Sequence, residues 1–213
     1  MAGHARVTLA LLVACIVVFG LEAVGASDYD VVNGTGRGLS PVLEFGVVFQ
    51  PAVVSGEWWR LITAGFLHFG LLHLFLNLYA LFYVGLALEP RFGSARFAAI
   101  YFVALVGGNL AACFLQSPRT VSAGASGAIM GCFGAMAVIG LRFKLRRQWL
   151  QSALIPVAMT LLYGFSRSGI SNTAHVGGLI AGSIAAWLVG ISPQWQQLIE
   201  AQQAAQGLKQ KEE

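Results

Sequence analysis

Residues 124–143 read Gly124-Ala-Ser126-Gly127-Ala-Ile-Met130-Gly-Cys-Phe-Gly-Ala-Met-Ala-Val-Ile-Gly-Leu-Arg-Phe143. A second stretch, Asn172-Thr-Ala-His175-Val-Gly-Gly178-Leu-Ile-Ala-Gly182-Ser-Ile-Ala-Ala-Trp-Leu-Val-Gly-Ile191, has the same character. Each is about as long as a membrane-crossing helix, which takes roughly 20 apolar residues. Serine is common in such helices and histidine is not, because ionisable groups at membrane depth are rare and turn toward the bundle interior. A serine and a histidine at the same end of two apolar segments suggest a nucleophile and its base.

Composition places the whole chain in the same class. Of its 213 residues, 57% are hydrophobic and 10% charged, with a mean hydropathy of +0.72. Soluble domains carry about a quarter charged residues, so an integral membrane protein of about six spans is expected, with no separate soluble domain. The net charge of +4 reads as topology. The bases form no stripe interleaved with aromatics, which speaks against nucleic acid. Cys15, Cys113 and Cys132 all lie inside apolar runs without metal or CxxC spacing, and read as packing residues.

Working outward, the first apolar run spans about residues 7–26. A cleaved signal peptide competes for this run, which ends in small residues, but its length and Glu22 favour a retained helix. A polar, glycine-rich outer loop at about 27–66 reads as interfacial and partly helical. The remaining spans, within 67–191, are expected at about Leu67–Leu88, Arg96–Leu115, Gly124–Phe143, Trp149–Phe165 and Asn172–Ile191. Residues 192–213 form a polar tail, a short helix or disordered. The expected unit is a single membrane domain over 1–191.

Charge orients this layout. Six spans put nine bases (Arg6, Arg91, Arg96, Arg142, Lys144, Arg146, Arg147, Lys209, Lys211) on one side and four (Arg37, Arg60, Arg119, Arg167) on the other. Basic loops stay cytoplasmic, so both termini are expected inside. Ser126 and His175 then fall near the outer face.

Gly124 and Gly127 beside Ser126 allow backbone N–H groups to approach a carbonyl, and a helix N-terminus favours developing negative charge. Simple helix packing by small residues is the plainer reading of that run. His175 is followed by Gly178 and Gly182 in a GxxxG pattern, matched by Gly127 and Gly131, so the two helices can approach closely. A buried structural histidine bonded to a carbonyl is the alternative there. His73 and Asn77, at i and i+4, share a helix face and can both donate hydrogen bonds, as an oxyanion site requires. Neither a carboxylate nor a second histidine follows His73 at i+4, and no HExxH occurs, so a metal site is not expected.

Taken together, these residues resemble the rhomboid intramembrane serine proteases. The resemblance rests on Gly56-Glu-Trp-Trp59-Arg60, on His68 with the His73/Asn77 pair, on Gly85-Leu-Ala-Leu-Glu89-Pro-Arg-Phe-Gly93-Ser94, on the GxSG at 124–127, and on Ala174-His175-Val-Gly-Gly178-Leu-Ile-Ala-Gly182. It covers about residues 55–190. GxSG alone is a weak signal; the motifs in this order on these helices are a strong one.

The resemblance implies an all-α, six-transmembrane-helix bundle with an interfacial loop between the first two spans. It implies that Ser126 is the nucleophile and His175 the general base, a dyad without a carboxylate. It further implies that the Ser126 N–H, His73 and Asn77 form an oxyanion hole, that Trp59-Arg60 anchors the outer loop, and that Glu89–Ser94 is a structural turn. The implied reaction is hydrolysis of a peptide bond in or beside a transmembrane segment of a membrane-protein substrate. No cofactor, metal or nucleic acid is implied. The partners are membrane-protein substrates and the bilayer, and the sequence sets no oligomeric state. The compact form fits a bacterial inner membrane, with organelle membranes also open. Met130 departs from the family, in which an aromatic one turn after the serine often stacks on the histidine; a thioether can pack there more weakly. The competing readings are a catalytically silent rhomboid-like factor that binds membrane proteins, and a small transporter. A transporter would want a charged site near the midplane, whereas this polar cluster lies near one face.

Overall fold

A computed structural model describes residues 5–24, 29–30, 32–36, 39–145, 147–166 and 171–212. The described helices are α1 (Arg6–Val24), α2 (Pro41–Gly46), α3 (Gln50–Val54), α4 (Arg60–Thr63), α5 (Leu71–Phe92), α6 (Ser94–Leu115), α7 (Ser126–Arg142), α8 (Arg147–Ser166), α9 (Asn172–Val189) and α10 (Pro193–Glu212). A 3-10 turn, Ala64–Phe66, follows α4. Among the described residues, four helices, α1, α5, α6 and α9, are long and apolar enough to cross a membrane. The 17-residue α7 is apolar but shorter, and α8 opens with Arg147, Gln148, Gln151 and Ser152. Large apolar side chains such as Leu9, Ile16, Leu72, Phe75, Leu162 and Leu188 are exposed around the outside. A lipid-facing surface requires that arrangement, and a water-facing one would aggregate. The chain is thus a helical integral membrane protein.

The central helix is α7, whose residues 127–136 are all buried. It packs closely with α6 and α9, and glycines let the backbones of these three helices approach one another. A Cβ on Gly178 would run into the Gly127 carbonyl, one on Gly182 into Gly131, and one on Gly108 would sit 2.8 Å from the Ala174 carbonyl oxygen. Close backbone approach of this kind gives membrane helices the dispersion contacts that a hydrophobic effect cannot supply between them. Tyr101, Phe92, Phe97, Leu81, Leu88 and Met130 fill the rest of the core.

Several boundaries differ from the sequence expectation. The second span begins at Leu71 rather than Leu67 and continues through Pro90 to Phe92. Residues 67–70 instead bend at Gly70 (φ 95°), whose backbone lies against Gly34. Pro90 has no N–H to give to the helical ladder and its ring crowds the carbonyl one turn earlier, and the helix stops three residues on at Gly93 (φ 83°). Gly190 (φ 62°) ends α9 ahead of Ile191. Two small antiparallel pairs appear where only partly helical loop was expected: β1 (Tyr29–Asp30) with β2 (Thr35–Gly36), and β3 (Val48–Phe49) with β4 (Val121–Ser122). The second pair ties the outer loop to the segment leading into α7. Residues 193–212 are helical. Ala26 at the end of the expected first span, and Arg37, Arg146 and Arg167, lie outside the described residues.

Polar side chains secure the ends of the bundle. Glu89 is buried and accepts bonds from the Val7 N–H (2.9 Å), the Thr8 N–H (2.8 Å), the Thr8 hydroxyl (2.7 Å) and the Ser94 hydroxyl (2.6 Å). It therefore caps the start of α1 and joins it to the α5–α6 turn. At the opposite end, Arg60 donates to the carbonyls of Glu44 (2.6 Å) and Val47 (3.0 Å) and pairs with Glu57 (2.6 Å). Trp59 stacks on Phe45 with ring centroids 5.5 Å apart and donates to its carbonyl.

Candidate active site

The Nε2 of His175 lies 2.9 Å from the Oγ of Ser126. Ser126 is the first residue of α7 and half-buried; His175 stands in the first turn of α9 and is 4% exposed. The glycine contacts between α7 and α9 make this distance possible, because side chains at Gly127 or Gly178 would hold the helices apart. Ser171 caps α9 by accepting the Ala174 N–H (3.0 Å), which sets where its first turn begins. Its hydroxyl is in turn held by the Gln116 side chain. For Oγ to donate to Nε2, the ring proton must sit on Nδ1. That atom is buried with no partner among the described residues, so no carboxylate orients this imidazole.

Ser126 N–H precedes the first closed helical bond of α7, from Ile129 N–H to the Ala125 carbonyl (3.0 Å). It is one of the N–H groups that a helix start leaves open, and the helix dipole favours an anion there. Gly124, at φ 121°, carries the chain into this turn, and its N–H is bonded to the Ala64 carbonyl (2.8 Å). The ring of His73 packs directly on Gly124: a Cβ at this position would lie 2.8 Å from His73 Nε2 and 3.8 Å from Ser126 Oγ. The Phe69 N–H donates to His73 Nδ1 (3.2 Å), so the ring proton resides on Nε2, a nitrogen packed on Gly124. Asn77, also buried, donates one amide hydrogen to the His73 carbonyl a turn earlier (2.9 Å), which leaves its second N–H to face elsewhere.

The structure thus brings Ser126, His175, His73, Gly124, Gly127 and Gly178 into one cluster, with Asn77 on the helix face that carries His73, while Gly182 packs on Gly131 deeper in the same helix pair. Met130 is buried a turn below Ser126 in the central core. Trp59 and Arg60 stand apart, in the outer loop. Sequence reasoning missed Phe69, since a backbone donor leaves no residue-type signal, and Ser171, which is an ordinary cap until His175 gives it meaning. Among the described residues, no group of three His, Cys, Asp or Glu could hold a metal ion.

A bundle of apolar helices with a serine–histidine contact at one end defines a polytopic membrane protein. Residues 55–192 match the Rhomboid domain family model, and the chain belongs to the rhomboid family. It is 40% identical over 164 residues to Rhomboid protease GluP of Bacillus subtilis, covering 75% of this chain and 32% of that protein. With RHOMBOID-like protein 5 of Arabidopsis thaliana it shares 33% identity over 170 residues, 75% of this chain and 53% of the other. Rhomboid protease AarA of Providencia stuartii is 29% identical over 208 residues, 85% of this chain and 72% of that one. The chain therefore spans about a third of GluP and about half of the plant relative.

Proposed function

We propose that the chain is an intramembrane serine endopeptidase that hydrolyses a peptide bond in or next to a transmembrane segment of a membrane-protein substrate. The observation that carries this reading is the 2.9 Å approach of His175 Nε2 to Ser126 Oγ at the open start of α7. His175 accepts the Ser126 proton as the hydroxyl attacks the carbonyl, and returns it to the leaving amine. The Ser126 N–H and His73 Nε2–H stabilise the oxyanion, with Asn77 as a further donor. Water then attacks the acyl-enzyme, with His175 again the base.

A transmembrane substrate hides its carbonyls in helical hydrogen bonds, so it must unwind locally before attack. Entry between α5 and α8 suits such a substrate, since both pack on α7 and scarcely on one another. Trp59, Arg60 and their contacts seat the outer loop at the membrane interface, where aromatics and snorkelling cations are at home. We assign both termini to the cytoplasm from the distribution of basic residues, and the bundle to a bacterial inner membrane.

The test is covalent labelling with a serine-directed fluorophosphonate. Labelling at Ser126 that is lost in S126A and in H175A supports the dyad. An S126A variant that still cut a co-expressed membrane substrate would overturn it.

A further inference from the structure

Glu22 is a carboxyl group in an apolar helix, 0% exposed, with no cation paired to it among the described residues. Groups of this kind are expensive to bury and persist where they hold something in place. Its Oε1 accepts the backbone N–H of His68 over 3.2 Å, across 46 residues of sequence. The ring of His68 is also fully buried, and its Nδ1 lies 3.2 Å from the Phe66 carbonyl. A carbonyl can only accept, so Nδ1 carries the proton and Nε2 is left as an acceptor. That Nε2 and the Glu22 Oε2 are both buried without a partner among the described residues.

This arrangement leads to His73 by two routes. The His68 ring meets the His73 ring edge-on, with centroids 5.2 Å apart at 65°. The peptide that Glu22 grips is also adjacent to Phe69, whose N–H sets the proton of His73 on Nε2. Segment 67–70 has no regular secondary structure of its own, so the bond from α1 helps to fix that N–H in space, together with the Leu71 N–H bond to the Val32 carbonyl at the segment's end.

We propose that Glu22 is a positioning residue for the reaction: by holding the His68 backbone N–H, it places the neighbouring Phe69 N–H and so sets the tautomer and orientation of His73. This rests on the oxyanion role assigned to His73 above. Gln at position 22 keeps an acceptor for the His68 N–H. Leu keeps bulk and loses that acceptor, and Ser is too short to reach.

The experiment uses the full chain in detergent, with fluorophosphonate labelling of Ser126 resolved into a maximal rate and a half-saturating concentration. In parallel, the ring nitrogens of His73 are read by NMR on protein with ¹⁵N-labelled histidine, feasible with 4 histidines in the chain. In E22L and E22S the maximal rate should fall about tenfold or more, the half-saturating concentration should hold, and the Nε2-protonated signature of His73 should be lost. In E22Q the rate should stay within about twofold and the signature should remain. Unchanged rate and signature in E22L and E22S would overturn the proposal, as would an E22Q variant as impaired as they are. A wild-type chain unlabelled at Ser126 would defeat the protease reading instead, while the His73 signal would still report on Glu22.

Discussion

The backbone N–H of Phe69 donates to Nδ1 of His73 over 3.2 Å, and this single bond puts the His73 ring proton on Nε2, which packs on Gly124 two residues before Ser126. A donor made ready in this way needs no rearrangement when negative charge develops on a substrate oxygen, which is where such groups contribute most. His73→Ala should therefore lower the maximal rate of substrate cleavage by about a hundredfold with KM little changed. Steady-state kinetics in proteoliposomes measure the split. An effect on KM alone would remove His73 from the oxyanion site.

The same packing makes Gly178 a demanding position. A methyl group there collides with the Gly127 carbonyl, and backbone cannot swing aside as a side-chain tip can. Gly178→Ala should destabilise the protein by about 2 kcal/mol and lengthen the Ser126–His175 contact. Thermal unfolding in detergent and the rate of fluorophosphonate labelling should fall together.

Glu89 acts on stability at a distance from the chemistry. Removing it strands the Val7 and Thr8 N–H groups at the buried start of α1. Glu89→Ala should cost about 3 kcal/mol, read as a lower unfolding midpoint. Labelling of Ser126 per folded molecule should be preserved.

Arg60 reaches two carbonyls and one carboxylate with a single fork. Lysine keeps the charge but cannot serve all three in one geometry. Arg60→Lys should lower stability by about 2 kcal/mol and expose the outer loop to limited proteolysis near residues 44–60, followed by mass spectrometry of the fragments.

The mechanism assigned here uses no metal. Incubation with EDTA should leave both fluorophosphonate labelling and substrate cleavage unchanged, and a loss restored by a divalent cation would contradict the serine–histidine reading.

Much of this protein is written locally. Runs of apolar residues the length of a bilayer specify helices because lipid offers backbone groups no other partner. The glycines at 127, 131, 178 and 182 announce a close helix pair because only a missing side chain permits it. Ser126, His175, His73 and Asn77 stand out because polar groups in such surroundings need a reason. Boundaries were less legible: the shift of the second span to Leu71 follows from Gly70 and Gly34 meeting, and that contact joins residues far apart in sequence.

What the sequence by itself determined is the set of helices, the membrane as their solvent and the short roster of polar residues, all consequences of composition and spacing along one segment. The tertiary structure decided which of those residues touch. It set His175 against Ser126, turned the His73 proton toward Gly124 through the Phe69 backbone, and carried Glu22 from the end of α1 to the His68 N–H. Hydrogen bonds of this kind depend on distances of a few tenths of an ångström between segments that sequence spacing does not relate.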